Sequence, residues 1–127
     1  MNKAFNMYKD MQVRADINEN SKKQLVLKLY DAVIKNLNEA VNAIDNKDIT
    51  VKLQKIDKTL SIIELGLIMS LSKEGAKEVA ENLELFYEDA SSRIVIANIK
   101  NDTTILNNVK ESFSDLKKCW EQVIELN

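Results

Sequence analysis

The 127-residue chain contains no histidine and no proline, one cysteine and two glycines. Each shortage excludes something. Without an imidazole there is no serine–histidine or cysteine–histidine relay, no histidine-containing zinc site and no Glu-x-x-His di-metal bundle. A four-helix bundle that relays phosphate through a histidine is excluded for the same reason. Cys119 has no second cysteine for an internal disulfide and no base to activate it. It is expected to be a partly buried, inert thiol in the cytoplasm. There is no P-loop and no glycine-rich dinucleotide loop, so no cofactor is expected and the chain reads as a non-enzyme. The net charge is −2 with a pI of about 5.3. Nucleic acid is therefore not expected as a partner, because phosphate binding needs a basic patch. Lys52, Lys55 and Lys58 read as a solvated helix face. The longest apolar run, LGLIMSL, is too short to span a bilayer, so no membrane insertion is expected. Lys9 and Asp10 stand where a leader peptide would be apolar, so no targeting segment is expected either.

What remains is a globular balance of 45% hydrophobic and 30% charged residues, suited to one domain with its own core. With so little proline and glycine, sharp turns are few and long helices are favoured. Four segments carry helical periodicity. In the first, Ser21 and Gln24 form a capping box, and Val26, Tyr30, Val33, Leu37, Ala40 and Ile44 make the inner stripe. Asp48 is the expected cap of the second, whose stripe runs Leu53, Ile56, Leu60, Ile63, Leu67, Leu71. After a break at SKEG (72–75), the third places Ala76, Val79, Ala80, Leu83, Tyr87, Ala90, Ile94 and Ala97 inward. After KND (100–102), with Asp102 as cap, the fourth carries Leu106, Val109, Phe113, Leu116, Trp120 and Val123. Short connections make consecutive helices antiparallel. The expectation is an all-α, antiparallel up-down-up-down four-helix bundle over 21–127, preceded by an amphipathic helical segment and polar tether over 1–20.

The backs of the second and third helices are unusual. Ile62, Leu65 and Met69 lie opposite the second stripe; Leu85, Ile96 and Ile99 lie opposite the third. A helix apolar on both sides is buried on both sides, whereas a four-helix bundle buries only one. The surplus reads as a groove for a partner or as a homodimer seam. The N-terminal segment has Phe5, Tyr8 and Met11 at helical spacing. A helix that short is marginal alone, so it is either a displaceable cover for this groove or a permanently docked helix. Glu64, beside the core face, is expected to pair with Arg93, and Gly66 either permits a close ligand approach or is incidental.

The sequence resembles the flagellin-specific export chaperone family FliS over nearly its whole length. AFNMYKDMQV resembles the family's aromatic N-terminal segment, and SKKQLVLKLYDAVIKNL its Ser-Pro-x-x-Leu…Leu-Tyr-Asp-Gly stretch. KDITVKLQKIDKTLSIIELGLIMSL is similar to its second helix. EGAKEVAENLELFYEDASSRIVIANIKND matches its Gly-Gly-x-x-Ala-x-Asn-Leu, Leu-Tyr and Ala-Asn-x-x-Asp elements, and CWEQV its late tryptophan. The family's proline is Lys22 here, its Leu-Tyr-Asp-Gly glycine is Ala32, its Gly-Gly is Glu74-Gly75 and its Leu-Tyr is Leu85-Phe86. The resemblance implies a cytoplasmic chaperone that binds the disordered C-terminal region of flagellin, prevents premature polymerisation and delivers the subunit to the flagellar type III export gate. It also implies that the N-terminal segment occupies part of the binding surface in the free protein. Asn98 and Asp102 fall on the Ala-Asn-x-x-Asp element; Asn98 either bonds client backbone or caps the helix end, and Asp102 is read as a cap.

Overall fold

The computed structural model describes residues 19–71 and 76–126, and the side chains of 22–71 and 76–122. The expected N-terminal helix with Phe5, Tyr8 and Met11, and the SKEG break, lie outside the described residues. Four helical rods are described: α1 (Glu19–Asp45), α2 (Ile49–Ser61) continued by a π-helical stretch (Ile62–Ile68), α3 (Lys77–Lys100) and α4 (Thr103–Leu126).

The turns are built from local hydrogen bonds. Lys47 takes a left-handed conformation with φ 57°, and the Asp48 N–H closes α1 by donating to the Ala43 carbonyl at 2.8 Å. The Asp48 carboxylate then caps α2, accepting from the Val51 N–H at 3.2 Å, which satisfies one of the orphan amides of a helix start. α3 ends at Asn101, left-handed with φ 52°, a conformation asparagine tolerates well. Asp102 caps α4 through the Ile105 N–H at 3.2 Å. Both expected aspartate caps are thus in place. The Ser21 cap is not, because α1 is already under way at Glu19; nothing in Glu19-Asn20 breaks a helix, so a favourable cap sequence does not force one to start there.

Contacts across the rods fix their directions. Asp31 and Asn38 of α1 bond Lys117 and Lys110 of α4 at 2.7 Å each, so numbers rise on one helix as they fall on the other. Glu39 near the end of α1 meets Lys55 near the start of α2 at 2.6 Å. Lys52 of α2 reaches the far end of α3, donating to the Asn98 carbonyl at 3.2 Å and Asn101 Oδ1 at 2.8 Å. α1 packs beside α2 and α4, and α3 closes the square against the same two rods. This is the expected antiparallel bundle.

The core follows the expected stripes in α1, α3 and α4, with Tyr30, Val33, Leu37, Ile94, Leu106 and Phe113 among the fully buried side chains. Ala76 and Val79, expected inward, are exposed at the start of α3, and the side chain of Val123 lies outside the described residues. The larger correction is in the second rod. Leu53, placed in the core by counting apolar residues, is 48% exposed, while Lys52, one position back, is 9% exposed. Lys52 tolerates burial because its ammonium is hydrogen-bonded at the α3 terminus, and Thr59 because its hydroxyl donates to the Lys55 carbonyl at 2.8 Å. The π-helical stretch then widens the turn through longer-range backbone bonding. It buries Ile62, Ile63, Gly66 and Leu67 together. Gly66 faces inward toward Leu29, where an added Cβ would stand 3.6 Å from Leu29 Cδ1, an ordinary contact rather than an approach reserved for a ligand.

An aromatic cluster joins three rods. Phe113 meets Tyr30 and Phe86 edge to face, at 5.5 and 5.2 Å between centroids. Trp120 Nε1 donates to the Tyr30 hydroxyl at 3.0 Å, and the Tyr30 and Tyr87 hydroxyls bond one another. Burial pushes Tyr30 from the usual 10.0 up to about 12, against the pull of its bonds to Tyr87 and Trp120. Burial, reinforced by Tyr30, pushes Tyr87 up as well.

Two outcomes follow. Gly66→Ala removes a mid-helix glycine worth roughly 0.5–1 kcal/mol without a clash, so thermal melting is expected to rise by a few degrees; a lowered midpoint would mean that the π-helical turn requires glycine. Raised tyrosine values make the phenol-dependent stability fully present below pH 10 and lost as pH climbs toward 12. Urea midpoints measured from pH 8 to 11.5 should fall at the alkaline end, and less steeply in Tyr30→Phe/Tyr87→Phe.

Candidate protein-binding face

The seams of the bundle are not alike. Both sides of α1 are fastened by cross-rod ion pairs, Glu39–Lys55 and Asp31–Lys117. The Lys55 hydrogen bond holds the Glu39 carboxyl below its ordinary range, and Asp31 pushes Lys117 up. Among the described residues no ion pair crosses from α2 to α3; the fastening there is Lys52.

Helical geometry assigns the outer side of that seam. On α3, Phe86, Asp89, Ala90 and Arg93 line a small cleft with Val109 and Ser112 of α4, which marks the α4 side. The Asn98 carbonyl bonded by Lys52 marks the α2 end. At 100° per residue, Val95 and Ile99 are turned about 60° and 100° from Asn98, away from α4, and Leu85 and Ile96 lie further round, near 140° and 160°. On α2, Lys55 marks the α1 side, and Ile49 and Leu53 are turned the opposite way from Lys52, by about 60° and 100°. The antiparallel register set by Lys52 therefore brings Ile49 and Leu53 to the same end of the pair as Val95 and Ile99. Met69 and Leu85 belong to the other end.

Most of the outward residues expected from the sequence are open to solvent: Met69, Leu85 at 64%, Ile96 at 44% and Ile99 at 76%. Leu65 is half-buried. Ile62 must be corrected: it is fully buried, because at 100° per residue it lies about 80° from Lys52 toward the α1 side, beside Lys55. Asn98 is half-buried; its carbonyl takes the Lys52 ammonium, and its Oδ1 is covered with no hydrogen-bond partner among the described residues. It does not act as the terminal cap, which is Asn101. Ile49, Leu53 and Val95 were not expected on this face yet are exposed. Ile49 and Leu53 sit at i and i+4, a readable signal once Lys52 rather than Leu53 is taken as the inner position.

Three side chains proposed for other roles lie elsewhere. Glu64 is exposed, and Arg93 bonds Asp89 on its own helix at 2.9 Å. The two cannot pair because Arg93 points to the α4 side. Cys119 is exposed rather than partly buried. A separate cleft of about 350 Å³ opens at the end of the bundle where α1 and α3 begin, with Val26, Leu71, Val79, Leu83, Tyr87 and Trp120 in its wall. Among the described residues no helix is long and apolar enough to cross a membrane.

Comparison with known proteins gives the chain a family. Residues 3–127 match the family model described as flagellar protein FliS. The chain is similar to a flagellar secretion chaperone FliS of Vibrio cholerae, 30% identical over 97% of this chain and 90% of that one. It is also similar to FliSB of Pseudomonas aeruginosa, 30% identical over 95% of each chain. FliS of Bacillus subtilis is 32% identical over 80% of this chain and 74% of its own.

Proposed function

The chain belongs to the FliS family of flagellar proteins, and from that premise we propose that it is a non-enzymatic secretion chaperone for flagellin. It binds the disordered C-terminal region of newly made flagellin in the cytosol, prevents premature polymerisation and assists transfer to the type III export gate. The observation that supports this most is the exposed apolar row on α2 and α3. Covering one aliphatic side chain contributes about 1.5–3 kcal/mol, so Ile49, Leu53, Val95, Ile96 and Ile99 offer a substantial driving force to a segment that orders as it docks. No nucleotide step is needed: the client's own apolar surface supplies the binding energy. Phe5, Tyr8 and Met11 act as a displaceable cover of part of this surface, and Asn98 offers a polar contact to client backbone. A self-associating adaptor would use the same row for a homodimer.

Ile96→Asp and Ile99→Asp place charges on exposed positions, so circular dichroism should be unchanged while affinity for the flagellin C-terminal region falls at least tenfold. Undiminished binding by both would remove this face from the mechanism. Ile62→Asp is expected to behave differently, losing the fold itself because it buries an unpaired charge. Deleting residues 1–14 should increase binding of an apolar dye; no increase would count against the cover. Sizing at several concentrations distinguishes a stable dimer from a client-binding monomer.

A further inference from the structure

From Glu78 to Ser92, α3 carries five carboxylates and neither lysine nor arginine, and the facing stretch from Thr59 to Leu71 carries Glu64 and no base. Asp89 is neutralised by Arg93, and Glu81 lies 3.9 Å from Lys77. Among the described residues, Glu64, Glu84 and Glu88 have no ion-pair or hydrogen-bond partner. On the helical wheel Glu84 and Glu88 are turned about 40° and 80° from Asn98, on the same outer flank as Val95 and Ile99. The register set by Lys52 carries Glu64 to their level. An acidic band therefore crosses the outer side of the α2/α3 seam. It lies about 10–20 Å along the axis from the apolar end formed by Ile49, Leu53, Val95 and Ile99, at 1.5 Å per residue. Beside it is a second unfinished group. Ser91 is 8% exposed, its Oγ has no hydrogen-bond partner among the described residues, and it lies about 20° from Asn98, toward α2. The net charge of the whole chain is only −2, so this concentration of unpaired carboxylates is local.

Resting on the reading of this face as a client site, we propose that its occupant is a two-part segment: apolar anchors seated at the Ile49–Leu53–Val95–Ile99 end, followed by one or two basic side chains that meet Glu84, Glu88 and Glu64. The apolar end supplies affinity, and the acidic band fixes the direction in which the segment lies. Complementary charge is better suited to setting orientation and encounter rate than to raising affinity. A second copy of this chain is a poor occupant. Stacked in parallel, two copies lay acid on acid; stacked antiparallel, each lays its apolar end on the other's acidic band, and neither arrangement is self-complementary.

The test uses the full chain and two synthetic peptides with identical apolar anchors, one carrying two lysines about ten residues beyond them, the other two glutamines there. Calorimetry is done at roughly 50 and 500 mM salt. The lysine peptide should bind about five- to tenfold more tightly at low salt, with the advantage shrinking at high salt. The advantage should vanish in Glu84→Gln/Glu88→Gln, whose glutamine-peptide affinity and circular dichroism stay unchanged. Equal affinities in the wild-type chain, an advantage that persists in the double variant, no binding of either peptide, or a tight dimer that excludes both would overturn the proposal. The two readings fail separately. Flagellin that does not bind removes the client assignment while a lysine preference stands, and flagellin that binds beside equal peptide affinities removes the charge assignment alone.

Discussion

A single buried ammonium group holds the most open part of this bundle together. Lys52 comes from the first turn of α2 and inserts at the end of α3, where its donors meet the Asn98 carbonyl and the Asn101 side chain. The last turn of a helix presents unsatisfied carbonyls and a partial negative charge, which makes it a suitable place to lodge a cation without a carboxylate. This clamp fixes the antiparallel register of α2 against α3, and everything proposed for the outer face depends on that register. With Lys52 turned inward, Leu53 and Ile49 have to turn outward, beside Val95 and Ile99. The exposed apolar row is thus the geometrical counterpart of the buried lysine.

The other side of the molecule is finished in a different way. α1 is tied to both neighbours by charged pairs and contributes Tyr30 to an aromatic cluster shared with α3 and α4. The α2/α3 seam opposite has no such fastening among the described residues beyond Lys52, and apolar side chains stand exposed on its outer side.

Much of this was legible in the residues. The stripes of α1 and α4, the inner positions Tyr87, Ala90, Ile94 and Ala97 of α3, and the caps at Asp48 and Asp102 follow from periodicity and short polar side chains, which depend on local geometry. The second rod was misread for a reason that is not local. Apolar counting favours Leu53 over Lys52 as a core position, and only the far end of α3, nearly fifty residues away in sequence, supplies the acceptors that reverse the choice. Ile62 reads as outward only while Leu53 is counted as inner; with Lys52 inner, the same 100° step turns Ile62 toward α1. The surplus of apolar residues on α2 and α3 was visible; which residues of α2 face outward follows from the inward turn of Lys52. Glu64 is paired with Arg93 in the sequence reading because a carboxylate beside the core face wants a partner, yet Glu64 is exposed and Arg93 has a closer carboxylate four residues back.

Trp120 is the sole tryptophan of the chain. Its indole N–H is committed to Tyr30, and its ring forms part of the wall of the end cleft. The molecule consequently contains its own optical gauge. Filling that cleft would change how much water touches the ring, while loosening the tyrosine bond would change its polar surroundings. Emission from this one fluorophore reports on the bundle end, about a helix length from the Lys52 clamp, without any label being attached.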